Sequence, residues 1–176
     1  MKKLVIVMLV MLVPFIGSAQ TFDSYEGEKD VTSIVVTKNM FKLLAEIDLE
    51  SDDPEVKEYL ELVNNLDNIK IFVTENADIA SRMTADVKKY VSSAKGLNEL
   101  MRVKDEGKNI KFYSKEGKSS SYVSELLMFM EGDIDGKEGS MIMSITGNID
   151  LKKISKLTKD LNVPGSDELK KIENKQ

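Results

Sequence analysis

Glu131-Gly132-Asp133-Ile134-Asp135-Gly136 places carboxylates at alternate positions ahead of a glycine. Hard oxygen ligands at that spacing can converge on calcium when a glycine lets the backbone turn sharply. The match ends there. With Glu131 as the first ligand, Ile142 stands where a bidentate glutamate would close the loop. The flanking segments also read as strands rather than helices. A solvated hairpin turn accounts for the same residues, because Asp and Gly are ordinary turn formers. Glu131, Asp133 and Asp135 are therefore weak metal candidates.

Methionine supplies a second pattern. Met128 and Met130 fall on one face of a strand, and Met141 and Met143 on one face of the next. Clustered thioethers suit a soft cation such as copper(I). Met is also an ordinary core filler, and Leu126, Leu127, Phe129, Ile142 and Ile145 surround these positions, which favours packing over a metal site. Convergence of the four sulfurs depends on a strand register that the sequence leaves open.

Other chemistry is narrowed by what the chain lacks. It contains no histidine, so the commonest general base and metal ligand is missing. It contains no cysteine, which excludes thiol nucleophiles, thiolate metal sites and disulfides. Tryptophan is absent too, weakening any carbohydrate-platform reading. An enzyme would have to rely on Asp, Glu, Lys, Ser and Tyr. Asp52-Asp53 read as a helix cap, Asp105-Glu106 as a turn, and Ser119-Ser120-Ser121 lies in no Gly-x-Ser-x-Gly elbow. No catalytic residue and no cofactor is expected.

The elements that would position these groups follow from periodicity. Val31–Thr37 is rich in β-branched residues and reads as a strand. Phe41, Leu44 and Ile47 give a short helix, and Asp53-Pro54 opens another. Ile69, Ile71 and Val73 alternate as in a half-buried strand. From Ala77 to Ala94, Ile79, Met83, Val87, Tyr90 and Val91 form the clearest helical stripe. Beyond Gly96 the period becomes two. Strands are expected over Leu97–Lys104, Ile110–Ser114, Tyr122–Met130 and Ser140–Thr146, with a loop over Glu131–Gly139. Gly147-Asn148 should turn the chain into a last amphipathic helix through Leu151, Ile154, Leu157 and Leu161. This order predicts one α+β domain, a mostly antiparallel sheet with helices packed on one face.

The N-terminus speaks to location. Lys2-Lys3, an apolar run from Leu4 to Ile16 and small residues at Gly17 and Ala19 form the three parts of a cleavable secretory signal. Cleavage is expected between Ala19 and Gln20. The run is short for a membrane span, which needs roughly 20 residues. Organisation is then 1–19 signal, 20–30 lead-in anchored by Phe22 and Tyr25, 31–161 domain and 162–176 polar tail. A net charge of -5 with scattered basic residues argues against nucleic-acid binding.

Phe22-Asp23-Ser24-Tyr25, Val31-Thr32-Ser33-Ile34-Val35-Val36-Thr37-Lys38-Asn39-Met40-Phe41 and Met143-Ser144-Ile145-Thr146-Gly147-Asn148-Ile149-Asp150-Leu151 carry a family likeness. On these segments the chain resembles a secreted Bacteroidetes family known only as domain of unknown function 4252. The resemblance implies a small signal-bearing envelope protein with no assigned activity, and for some members a gene near envelope-stress sigma factors. It defines no site residues. Some members carry a lipoprotein cysteine after the signal. Gln20 stands here instead, so a soluble periplasmic or secreted protein is expected rather than a lipoprotein.

The expectation is a non-catalytic module that binds an envelope protein partner, with Tyr113, Tyr122 and Phe129 as candidate contact residues. A metal-binding or metal-sensing protein and a carboxylate-dependent hydrolase are the two alternatives.

Overall fold

The computed structural model describes residues 22–47, 54–105, 107–119, 121–134 and 136–151. A single 3-10 turn, Asp23–Tyr25, leads into strand β1, Thr32–Thr37. Helices α1, Lys38–Ile47, and α2, Pro54–Asn64, follow, then β2, Leu66–Thr74, and helix α3, Ala77–Ser93. Four strands complete the order: β3, Leu97–Asp105; β4, Lys108–Glu116; β5, Tyr122–Ile134; and β6, Lys137–Asp150.

The strands form one six-stranded sheet in the order β1-β2-β6-β5-β4-β3, antiparallel throughout. β3 to β6 is a meander of hairpins, and α3 carries the chain from β2 to the far edge. The protein is thus a single α+β domain.

The helices divide between the two faces, which corrects the expectation that they gather on one. Strand alternation sends Ile69 to one face and Phe72 to the other. Phe41 of α1 and Leu62 and Val63 of α2 pack with Ile69, Phe112, Leu126 and the four methionines of β5 and β6. On the opposite face Ile79, Met83, Val87 and Tyr90 of α3 cover Phe72, Leu127, Phe129 and Ile142. Phe22 and Tyr25 join this second core, so the lead-in is part of the domain. Burying one such large apolar side chain contributes roughly 1.5–3 kcal/mol, and both faces of the central strands gain it.

Local chemistry explains the boundaries. The Asn76 side chain accepts hydrogen bonds from the N–H groups of Asp78 and Ile79 at 3.0 and 3.3 Å, which satisfies donors that α3 leaves open. Thr74 closes β2 by donating its hydroxyl to the Asp30 carbonyl at 2.7 Å. The last two strands run further than their hydrophobic pattern suggests. β5 continues to Ile134 and β6 begins at Lys137, so the expected Glu131–Gly139 loop shrinks to a tight turn. Gly147-Asn148 likewise lies inside β6, at a shift of register against β2, rather than turning the chain into a helix. The remainder of the expected last helix, like the Asp52-Asp53 cap and the tail, lies outside the described residues.

Candidate functional site

The acidic hairpin is held by strand pairing. Glu131 is opposite Asn109 of β4 and Ser140 of β6. Its Oε1 accepts from Asn109 Nδ2 at 2.7 Å and lies 4.0 Å from Lys111 Nζ, while Oε2 accepts from Thr84 Oγ1 of α3 at 3.4 Å. The Asp133 Oδ1 accepts the Gly136 N–H at 3.0 Å and so caps the turn. Asp135 lies outside the described residues. Glu131 and Glu138 line a cleft of about 280 Å³ between α3 and the hairpin ends. Among the described residues no group of three carboxylates converges as a metal site would need.

Register settles the arrangement of the methionines. Met128 is directly opposite Met143, and Met130 opposite Met141. The four form a two-by-two block on the α1–α2 face, with Cβ atoms of opposed residues about 4.5–5.5 Å apart. The block is buried, from 0% exposure at Met128 to 6% at Met141.

Of the three aromatic candidates, Tyr113 and Phe129 are buried beneath α3. A contact role for them requires an open sheet face, and α3 packs on that face. Tyr122 is half-buried at the start of β5, opposite Asp150.

Of the four exposed large apolar side chains among the described residues, three lie on β1 and the helix that follows it, and the fourth, Leu100, on β3 at the other edge. Ile34 is 50% exposed, and Met40 and Leu43 of the adjoining helix α1 are 49% and 55% exposed. Ile34 pairs with Ile71 and therefore faces the α1–α2 side of the sheet. α1 begins at the residue after β1 and contacts β1 and β2. Sequence periodicity assigned Phe41 to the buried stripe of α1, and Phe41 is indeed 4% exposed. Met40 and Leu43 fall off that stripe, three residues apart, and this was the available signal for a second apolar face.

Two tyrosine–carboxylate pairs, one buried and one partly buried, also escaped sequence reasoning. Tyr90 Oη lies 2.8 Å from each carboxylate oxygen of the buried Glu125, with Phe22 edge-on to its ring at 5.4 Å. Tyr25 donates to Asp86 at 2.6 Å, and Arg82, paired with Glu28, lies 6.0 Å from the centre of its ring. A glutamate inside the apolar run of β5 was the cue.

Burial, and then the bonded carboxylate, push both phenols well above the ordinary tyrosine value of 10.0. Above that pH the unfolded state has shed protons that the folded state keeps. The stability these pairs contribute is therefore complete below pH 10 and falls as pH rises beyond it. Ionisation of these two rings, followed at 295 nm, should coincide with loss of the far-ultraviolet dichroism. Normal ionisation near pH 10 in an intact fold would contradict this.

The family model for the domain of unknown function DUF4252 matches residues 25–157. The chain belongs to this family. The match in DUF4252 begins at the buried Tyr25 and extends beyond the end of β6, so it takes in every strand of the sheet. No curated protein and no solved structure matches the chain significantly. Among the described residues of this DUF4252 protein, no helix is long and apolar enough to cross a membrane.

Proposed function

We propose that this DUF4252 protein is an exported envelope protein that works by holding a partner protein and performs no chemistry of its own. The observation that carries the reading is the exposed apolar margin of Ile34, Met40 and Leu43. Each of the three is about half exposed on a regular element, so together they offer apolar area to a partner that covers β1 and the helix after it. The pattern of Met1–Ala19 supports export, and a role in envelope-stress signalling would agree with the resemblance, which implies for some members a gene near envelope-stress sigma factors. A soluble periplasmic or secreted form would follow cleavage before Gln20.

Met40→Glu/Leu43→Glu puts two charges on the margin while leaving Phe41 in the core. Crosslinked cells making the tagged wild type should yield one stoichiometric envelope species, and the double variant should recover at least tenfold less. Equal recovery from both would overturn the assignment of this surface. The purified chain should begin at Gln20; an unprocessed chain in the cytosol would refute the export reading.

The methionine block favours a second reading, a soft-metal site. Four opposed thioethers in a dry core could hold copper(I). Anaerobic titration tests this directly. One copper(I) bound per chain, lost on Met128→Leu/Met143→Leu, would support the site. No binding would leave the block as packing.

A further inference from the structure

We propose that the folded domain shields its own processing site, so that the leader is removed only while the Phe22–Val31 lead-in is undocked. The proposal rests on the export reading and goes further by ordering two events. Cleavage comes first, and the lead-in then closes the α3 face of the sheet.

The lead-in is fastened from its first described residue. Phe22 and Tyr25 are 5% and 1% exposed and belong to the core on the α3 face. Phe22 meets the ring of Tyr90 on α3 edge-on, and the Tyr25 ring stands beside Phe72 of β2 while its hydroxyl donates to Asp86. Charges hold the segment between these anchors. Asp23 pairs with Lys70 of β2, and Glu28 pairs with Arg82 of α3. At the far end the Asp30 carbonyl accepts the Thr74 hydroxyl at 2.7 Å. The lead-in thus bridges β2 and α3. Its backbone is closed as well: the Phe22 carbonyl accepts the Tyr25 N–H and the Asp23 carbonyl the Glu26 N–H, both at 3.1 Å, in the 3-10 turn.

A protease needs the opposite arrangement. It holds residues on both sides of the scissile bond extended in its cleft, so folded substrates are cut through local opening. Only Gln20 and Thr21 separate the Ala19–Gln20 bond from Phe22. Two residues reach about 7 Å even when fully extended, less than the width of one helix. With Phe22 docked, the third residue after the bond is fixed in a core and its carbonyl is committed to a turn. The body of the domain then stands within that short reach and competes with the peptidase for the same space. Undocking removes the conflict. No strand begins before Thr32, so the released lead-in from Phe22 to Val31 adds roughly 33 Å of extended chain between the bond and the sheet.

The test lengthens that reach and alters nothing else. The full chain with its leader, recovered folded from cells in which export is blocked, is presented in detergent micelles to purified bacterial signal peptidase. A second chain carries ten Gly/Ser residues inserted between Thr21 and Phe22, a flexible spacer that keeps the leader and every buried residue unchanged. The spaced chain should be cleaved after Ala19 at least tenfold faster than the natural one, with equal thermal unfolding of the two. Tyr25→Ala at natural spacing removes an anchor and should bring cleavage toward the rate of the spaced chain. Equal rates for the natural and spaced chains would overturn the shielding and leave the export reading in place. An undiminished lag in Tyr25→Ala would also overturn it, because docking of the lead-in would not be the obstacle. Cleavage of neither chain after Ala19 would remove the export reading itself.

Discussion

Gly147→Ala is expected to cost roughly 3 kcal/mol or more of folding stability, from backbone strain and overpacking together. Gly147 has a φ of +143°, a conformation that side chains disfavour. A methyl group there would stand 2.4 Å from the Asn65 carbonyl oxygen and 2.8 Å from Leu66 Cα. Both obstacles are backbone at the corner where α2 passes into β2, and the Asn148 N–H donates to the same Asn65 carbonyl at 2.8 Å. The strand cannot move away without losing that bond. Gly136→Ala is the matched control. Its φ of +86° imposes strain, but nothing lies within 4 Å of the added atom. Only the left-handed penalty of roughly 1–2 kcal/mol should remain. Urea denaturation of both variants measures the difference. Equal losses would show that close approach at Gly147 contributes nothing.

Phe72→Ala should be the most damaging core truncation on the α3 face, at about 3–5 kcal/mol. Phe72 is fully buried, stands opposite Ile142 of β6 and packs near the Tyr25 ring at 6.1 Å. Its loss opens a cavity that rigid strands on one side and α3 on the other cannot close. Typical domains have only about 5–15 kcal/mol in hand, so the variant should unfold at far lower urea with an unchanged slope. Met143→Leu, equally buried on the other face, should cost less than about 1.5 kcal/mol because volume is kept. A Phe72→Ala loss below about 1 kcal/mol would mean that α3 does not seal this core.

The element order was largely legible, and the reasons are local. Ile69, Ile71 and Val73 alternate, Ile79 to Tyr90 repeat at helical spacing, and Gly96 marks the change of period. Strand length was misread at Gly132, Gly139 and Gly147 because glycine signals turns. At these positions it instead allows neighbouring backbone to approach: an added methyl would lie 2.2 Å from the Gly107 carbonyl oxygen at Gly132 and 2.3 Å from the Thr74 carbonyl oxygen at Gly139. Such contacts join residues far apart in the chain, which periodicity cannot register.

The division of helices between two faces had a visible sign that was passed over. β5 runs Leu126-Leu127-Met128-Phe129-Met130, apolar at both parities, as a strand covered on both sides must be. Reading that run correctly would have buried Tyr113 and Phe129 in advance and moved the candidate surface to a sheet margin. The methionine block could not be read at all, since opposition of Met128 with Met143 needs the register. Ile34 looked like one more core residue. Only the sheet order makes β1 an edge.

The central claim is that the β1–α1 margin is the working surface of this protein. Photoreactive residues placed singly at Ile34, Leu43 and Lys88 test it in living cells, Lys88 being exposed on α3 across the sheet. The account predicts one discrete crosslinked species from Ile34 and Leu43 and none from Lys88. Crosslinking from Lys88 alone, or from none of the three, would contradict it.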